Sequence, residues 1–177
     1  TGVQTCALPI LPTEDAVKVS EELARRFGLP LWQFTVSATD ANRHVIRYSR
    51  LITGRQKIVV IDRCYHGSVD ESFATLDSNG KTISREGNIG APVPLDLTTI
   101  VVEFNDLSGM ESALKSGEVA AILMEPAMTN VGIVLPDDGY LIKVGELARK
   151  YGALWIDRKS TRLNSSHVSE SRMPSSA

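Results

Sequence analysis

The sequence predicts an α/β fold in which helices flank a largely parallel sheet. Short apolar runs rich in β-branched residues alternate along the chain with segments whose apolar residues recur at helical spacing. The run Lys57–Asp62 is apolar almost throughout, which is typical of a strand buried on both faces. Alternation of strands and helices favours crossover connections, and crossovers place successive strands parallel.

Two helices and a strand are predicted ahead of that run. Thr13 is a suitable N-cap for the first helix, and Gly28 is a suitable end for it. The apolar run Leu31–Val36 then predicts a strand. A second helix is predicted to end at Gly54, and its apolar face is predicted from helical spacing: Ala38, Ala41, Val45, Tyr48 and Ile52.

The rest of the chain continues the alternation. Strands are predicted at Ile100–Asn105, Val119–Glu125 and Ala153–Ile156. Helices are predicted at Leu107–Ser116 and Tyr140–Tyr151. The segment Asp77–Leu97 is rich in Gly, Asn and Pro, which predicts an irregular excursion with room for a small hairpin.

Both ends of the chain have the character of non-native sequence. Read as the codons ACT GGA GTT CAG ACG TGT GCT CTT CCG ATC, Thr1–Ile10 has a reverse complement that translates as Asp157–Ser166 without a mismatch. Unrelated termini have no reason to be complementary translations of one DNA, whereas a sequencing-library adapter joined to both ends of a DNA fragment produces that result. We therefore expect 1–10 and 158–177 to be non-native and 11–157 to be part of one domain. A natural Ser-rich tail is the alternative.

The composition of the interior argues against several classes of protein. Four of the 19 Lys and Arg residues and two of the 21 Asp and Glu residues lie after Ile156, which leaves the interior with a net charge of −4. This acidic balance argues against a nucleic-acid partner, and no apolar run is long enough to span a membrane. The one interior cysteine, Cys64, excludes a disulfide framework and favours a reducing compartment, so a cytoplasmic location is expected.

Candidate ligand-binding residues follow the predicted strands, where parallel α/β sheets bind their ligands. Ser37, Ala38 and Thr39 stand where a predicted strand ends and a helix begins. Free backbone N–H groups and two hydroxyls meet there, as they do in phosphate sites. The same residue types are also ordinary helix caps, so this motif has two interpretations.

Three further positions have the same placement. Tyr65 and His66 follow the Lys57–Asp62 strand, and an aromatic ring there can stack on a planar ligand or simply occupy a turn. Glu125 and Asn130 follow the Val119–Glu125 strand, where a glutamate can also be a solvated strand end. Asp157 follows the last strand, where a carboxylate can bind a protonated ring nitrogen or a metal.

Four segments, in their order and spacing, resemble the class III, fold type I pyridoxal-phosphate aminotransferases, and within them the glutamate-1-semialdehyde 2,1-aminomutase-like branch. They are FTVSATDANRHVIRYSRLITGRQKIVVIDRCYHGSVDE, VEFNDL, LMEPAMTNVGIVLPDDGYL and YGALWID. The resemblance covers nearly all of Leu11–Asp157. It implies that this segment is part of the large, cofactor-binding domain of such an enzyme, with pyridoxal 5'-phosphate as cofactor and no metal ligand.

The resemblance also implies roles for single residues. Ser37, Ala38 and Thr39 would hold the cofactor phosphate, and Tyr65 would stack on its ring with His66 beside it. Asn130 would lie near the ring hydroxyl with Glu125 behind it, and Asp157 would pair with the pyridinium nitrogen. The chain has Ser-Ala-Thr-Asp-Ala where the family usually has Ser-Gly-Thr-Glu-Ala. Alanine keeps its N–H, so phosphate binding is expected to survive, while the substrate preference is expected to differ.

The activity implied is that of a transaminase or 2,1-aminomutase, a homodimer that acts on a small-molecule amino donor and acceptor. In the family the Schiff-base lysine lies downstream of the strand that ends at Asp157, and no interior lysine matches its position. We therefore expect this chain by itself to be inactive. Asp157 supports the function less than Thr39 or Tyr65 does, because its codon also begins the adapter-like string.

Two other classes remain open at this point. An α/β nucleotide-binding module would use the same phosphate-binding turn, although the sequence has no Gly-rich fingerprint after its first strand. A hydrolase would use Cys64 with His66, which lie two apart and can share a face, although a lone cysteine near a strand is usually a small buried side chain.

Overall fold

The computed structural model describes residues 13–158, which fall into two compact units, one ending at Val36 and the other beginning at Ser37. In the first unit, α1 spans Glu14–Phe27. The Thr13 hydroxyl accepts a hydrogen bond from the Ala16 N–H at 3.2 Å, and Gly28 ends the helix in the left-handed conformation, as predicted. None of the side chains of α1 is buried.

The strand predicted at Leu31–Val36 is absent, so that prediction was wrong. This segment has no helix or strand, and the side chains at its two ends, Leu31 and Val36, are 88% and 97% exposed. A strand needs a neighbour that completes its backbone hydrogen bonds. In the described part of the chain no strand pairs with these residues.

The second unit is built on a parallel sheet, as the sequence predicts. Its described strands are β1 (Lys57–Ile61), β2 (Ala74–Leu76), β3 (Thr82–Ser84), β4 (Thr99–Val102), β5 (Val119–Met124) and β6 (Leu154–Asp157). Four of them form one sheet in the order β4-β1-β5-β6, and every pairing in it is parallel. The strands β2 and β3 pair antiparallel as a separate small hairpin, in the region where the sequence left room for one.

Three helices of the second unit connect or precede the strands. They are α2 (Ala38–Thr53), α3 (Leu107–Lys115) and α4 (Tyr140–Tyr151), close to the predicted bounds. Two short 3-10 helices cover Asp70–Phe73 and Leu95–Leu97. None of the described helices is long and apolar enough to cross a membrane.

The core lies around the two central strands. All six residues of β5 are buried, as are Ile58–Ile61 of β1, which explains why both runs are apolar throughout. From α4, Tyr140, Val144 and Ala148 pack into this core. Burial of apolar surface at about 25 cal/mol per Å² makes this cluster the main source of stability.

The predicted apolar face of α2 is not the face that is buried. Asn42, Ile46 and Ser49 are buried, whereas Tyr48 and Ile52 are 56% and 70% exposed. The two polar residues can face inward because each has a hydrogen-bond acceptor there: Asn42 the His66 carbonyl at 2.7 Å, and Ser49 the Val45 carbonyl at 2.8 Å. Satisfied polar groups are tolerated in a core, and the helix is rotated accordingly.

Candidate site at the carboxyl edge of the sheet

The carboxyl ends of β1, β5 and β6 lie along one edge of the sheet. Val60 pairs in register with Leu123, and Met124 pairs with Asp157. Because the three strands are parallel neighbours, the residues that follow them meet at this edge. The candidate residues Tyr65, Glu125 and Asp157 are therefore brought to this edge of the sheet from three separate parts of the chain.

The start of α2 lies at this edge as well. The Ser37 hydroxyl caps the helix by accepting from the Asp40 N–H at 3.2 Å, and Ala41 makes the first backbone bond, to the Ser37 carbonyl. The N–H groups of Ala38 and Thr39 precede that bond, so they have no partner within the helix. They carry the positive end of the helix dipole, where an anion is favoured.

The loop after β1 contacts α2 directly. The Thr39 hydroxyl accepts a hydrogen bond from the Ser68 N–H at 3.1 Å, and the Asn42 amide donates to the His66 carbonyl. Gly67 has a φ of +80°, and a Cβ added there would lie 2.4 Å from the Thr39 hydroxyl oxygen. Only glycine allows both the left-handed backbone and this close approach.

Within this loop the side chains alternate between inside and outside. Cys64 and His66 are 4% and 0% exposed, whereas Tyr65 between them is 46% exposed. The loop therefore holds one aromatic ring at the protein surface between two buried side chains.

The chemistry of Cys64 and His66 does not support a nucleophile and base. Burial raises the pKa of the Cys64 thiol to about 12, so it stays protonated at neutral pH. Burial, together with the positive charge of Arg158, lowers the pKa of His66 to about 3, and neither ring nitrogen has a hydrogen-bond partner among the described residues. A protonated thiol without a hydrogen bond to its imidazole is not an activated nucleophile.

Glu125 anchors the loop that follows β5. Its side chain is 5% exposed and accepts a hydrogen bond from the Thr129 hydroxyl at 2.7 Å. The next residue, Asn130, is exposed and donates its amide to the Arg63 carbonyl at 2.9 Å, which ties this loop to the loop after β1. Glu125, Thr129 and Asn130 line a small open pocket with Ile61, Cys64 and Met128.

Asp157 closes β6 and is exposed. The next residue, Arg158, forms an ion pair with Glu125 at 2.9 Å, and its N–H donates to the Met124 carbonyl. Arg158 is the first residue of the segment 158–177 that we expect to be non-native, and that expectation stays a prediction. The adapter-like residues 1–10 and 159–177 lie outside the described residues.

Sequence reasoning missed three of the side chains that organise this edge. Asn42, Ser72 and Thr129 each bond to a candidate residue or to its loop. Asn42 carried a usable signal, since it is a polar residue at the helical spacing of Ile46 and Ser49. Ser72 and Thr129 carried none, because hydroxyl side chains are common in loops and nothing in the local pattern singles these two out. Among the described residues no cluster of His, Cys, Asp and Glu could hold a metal ion.

The chain is similar to one family of enzymes along most of its length. The sequence profile of the class-III aminotransferases matches residues 2–157. The glutamate-1-semialdehyde 2,1-aminomutase of Methanothrix thermoacetophila is 34% identical over 146 residues, which cover 82% of this chain and 34% of that protein. The chain thus spans about a third of the length of the curated relatives it matches.

Solved structures of an aminomutase and a transaminase are also similar to this chain. A glutamate-1-semialdehyde aminomutase from Pseudomonas aeruginosa PAO1 superposes with a TM-score of 0.80 at 52% identity, covering 83% of this chain and 32% of that one. A lysine-to-alanine variant of that aminomutase was solved in complex with PMP. An omega-transaminase from Sphaerobacter thermophilus superposes with a TM-score of 0.73 at 30% identity, covering 84% and 36% of the two chains.

Proposed function

Since this chain belongs to the class III aminotransferase family, we propose that the carboxyl edge of its sheet binds pyridoxal 5'-phosphate. The whole protein would move an amino group on an amino acid, keto acid or aldehyde, as a transaminase or a 2,1-aminomutase. The observation that carries the proposal is the meeting of three features at one edge: the start of α2, the exposed ring of Tyr65 and the carboxylate of Asp157.

The start of α2 has the donors that a phosphate requires. The N–H groups of Ala38 and Thr39 are available, and the helix dipole favours an anion there. The Thr39 oxygen already accepts from the Ser68 N–H, so its own hydrogen remains to be donated. Ser37 caps the helix, and its hydroxyl donates to the Asp40 carboxylate, so the donors at this end are those of Ala38 and Thr39. The departure from the usual Ser-Gly-Thr-Glu-Ala leaves these donors in place.

Tyr65 and Asp157 suit an aromatic, protonated ring. The Tyr65 side chain presents its ring to solvent from a loop that is tied to α2, and an offset stack on a planar ligand contributes about 0.5–1.5 kcal/mol. The Asp157 carboxylate would hold a proton on a ring nitrogen by charge pairing. Asn130 would meet the ring hydroxyl, with Glu125 holding its loop from behind. His66, buried and neutral, would lie beside Tyr65.

When bound, the cofactor supplies an electron sink for a bond broken at the substrate α-carbon. The chain's own contribution is to orient it and to keep its ring nitrogen protonated. Among the described residues no lysine directly follows a strand of the four-stranded sheet. We propose that the amino transfer requires a lysine outside these residues, and that this chain by itself is inactive.

The partners of the whole protein follow from the same proposal. The substrates would be a small amino donor and acceptor, and a homodimer would cover exposed apolar surface. On α2, Tyr48, Leu51 and Ile52 are 56%, 79% and 70% exposed. Contiguous apolar residues in water usually mark an interface. The reduced, buried Cys64 is consistent with a cytoplasmic location.

Titration of the whole chain with pyridoxal 5'-phosphate, followed by tryptophan fluorescence, tests the binding. Thr39→Val should weaken binding of both the cofactor and inorganic phosphate, by about tenfold for a lost hydrogen bond to a charged group. Tyr65→Ala should weaken the binding of the cofactor by about threefold to tenfold and leave the binding of inorganic phosphate unchanged. The control is Leu97→Ala, which removes a similarly exposed apolar side chain from the 3-10 helix Leu95–Leu97. Unsaturable binding, or an equal loss in the control, contradicts the proposal.

Borohydride reduction of the mixture, with mass spectrometry of the adducts, tests the inactivity. Scattered, substoichiometric labelling of surface lysines is expected. Stoichiometric labelling of one lysine together with aminotransferase activity would overturn that part of the proposal.

A further inference from the structure

The backbone of the loop at 65–69, here called the aromatic loop, is held by side chains from outside it. The Asn42 amide donates to the His66 carbonyl at 2.7 Å, and the Ser68 N–H donates to the Thr39 hydroxyl at 3.1 Å. The Ser72 hydroxyl lies 2.8 Å from the Gly67 carbonyl and 2.9 Å from the Val69 carbonyl. A loop whose polar backbone groups are bonded in this way loses little further entropy when a ligand binds.

Asn42 is the unusual member of this set. Its side chain is 6% exposed, on the inward face of α2 beside Ile46 and Ser49. Asparagine is a poor helix former, and a buried amide is unfavourable unless it is hydrogen-bonded. Its amide is bonded to a residue 24 positions later in the chain and not to its own helix. The side chain of Asn42 therefore holds the aromatic loop by a hydrogen bond, whereas an apolar residue at this position would pack better against the core.

Ser49 provides the comparison. It is buried on the same face of α2, at 1% exposure, but its hydroxyl donates to the Val45 carbonyl of its own helix. The two residues share burial, polarity and the face of α2 on which they lie. They differ in that only Asn42 reaches the aromatic loop.

The contact between helix and loop is also a backbone contact. Gly67 approaches Thr39 so closely that an added Cβ would meet the Thr39 hydroxyl oxygen and lie 3.1 Å from its Cα. The start of α2 and the aromatic loop therefore have one relative placement, which Asn42 holds from the buried side. Tyr65 is the residue directly before the carbonyl that Asn42 binds.

We propose that Asn42 is a positioning residue that fixes the Tyr65 ring relative to the start of α2. This rests on the proposed function, in which α2 holds the cofactor phosphate and Tyr65 stacks on the ring. Asn42 would then set the distance between the two ends of the cofactor site without touching the cofactor. Its loss should affect ring stacking and spare phosphate binding.

The test uses the whole chain, with Asn42→Ala, the better-filling Asn42→Leu, and Ser49→Ala as the matched control. Far-UV circular dichroism and a thermal melt establish that each variant is folded. Hydrogen exchange over 63–70 should be about fivefold to tenfold faster in both Asn42 variants, as expected for one lost hydrogen bond, and unchanged in Ser49→Ala. Unchanged exchange in Asn42→Leu, or equal acceleration in Ser49→Ala, would overturn the proposal.

A second readout uses the cofactor. The induced circular dichroism of bound pyridoxal 5'-phosphate reports how its ring is held. The affinity for inorganic phosphate alone reports whether the phosphate site at the start of α2 is intact. The Asn42 variants should lose most of the induced signal and bind inorganic phosphate within about twofold of the wild type. Equal loss of both would mean a general structural role and would overturn the assignment. If the wild-type chain binds no cofactor, the proposed function fails, and the exchange experiment still decides whether Asn42 holds the loop.

Discussion

The Ser37 hydroxyl donates to the Asp40 carboxylate at 2.8 Å, while the Asp40 N–H donates back to the Ser37 oxygen at 3.2 Å. This reciprocal pair places a negative charge in the first turn of α2, where the helix dipole stabilises it. The same charge lies beside the N–H groups of Ala38 and Thr39. A carboxylate and a phosphate therefore compete for one positive helix end.

We predict that Asp40→Asn strengthens phosphate binding. Removal of one negative charge next to a dianion should raise the affinity for pyridoxal 5'-phosphate by about twofold to fivefold, and lower the free energy of unfolding by about 0.3–1 kcal/mol. Equilibrium titration at low ionic strength measures the first effect and urea unfolding the second. Glu118→Gln makes the same charge change at the amino edge of the sheet and should leave the affinity unchanged. A weaker affinity in Asp40→Asn would show that the carboxylate assists binding.

Stability should fall with acid because of His66. Burial lowers the folded-state pKa of this histidine to about 3, whereas an unfolded histidine has a pKa of about 6.5. Between these two pH values the unfolded chain binds a proton on His66 that the folded chain does not bind. The free energy of unfolding is therefore unaffected by this histidine above about pH 6.5, and it falls by up to about 1.4 kcal/mol per pH unit as the pH drops towards 3. Urea unfolding between pH 7 and pH 5 measures the slope.

His66→Leu removes the titrating group and should flatten that slope. An identical slope in the wild type and in His66→Leu would contradict the assignment of this pH dependence to His66.

Cys64 should resist alkylation in the folded protein. With the pKa of the thiol raised to about 12 by burial, the thiolate fraction at pH 8 is about one part in ten thousand, and the sulfur is also inaccessible. Iodoacetamide labelling mapped by mass spectrometry should modify Cys64 only after denaturant is added. Rapid, stoichiometric labelling in buffer would contradict the buried position and would revive a role for this thiol.

The ion pair between Arg158 and Glu125 should contribute to stability. Arg158→Ala leaves the buried Glu125 carboxylate with the Thr129 hydroxyl but without its cation, which should lower the free energy of unfolding by about 3 kcal/mol. The control is Lys150→Ala, which breaks an exposed ion pair with Glu111 and should cost about 0–1 kcal/mol. Adding Glu125→Gln to Arg158→Ala should restore part of the lost free energy of unfolding. If the double variant is no more stable than Arg158→Ala, the unpaired Glu125 carboxylate is not the cause of the loss.

The sequence of the source gene tests the origin of Arg158. If residues 158–177 are non-native, the gene should encode Asp at position 157 again, followed by a glutamate, and a lysine further on. An arginine codon after Asp157 in the gene itself would contradict that interpretation.

The sequence determined the sheet and most helix ends, because those depend on local pattern. The apolar run of β1 predicted a buried strand and that of β5 a strand. Thr13 marked a helix start through its side-chain cap, and Gly28 and Gly54 marked helix ends through the left-handed conformation that glycine favours. The order of the motifs also identified the family. The strand prediction for Leu31–Val36 was wrong because an apolar run forms a strand only where another strand completes its hydrogen bonds.

What the tertiary structure decided was which side chains meet. Helical spacing predicted that Tyr48 and Ile52 would face inward, but the buried face of α2 is that of Asn42, Ile46 and Ser49. That rotation depends on the His66 carbonyl, which lies 24 residues later and reaches Asn42 only once β1 has joined the sheet. Local sequence sets the backbone of each element, whereas the burial of a polar side chain depends on a partner that only the folded chain supplies.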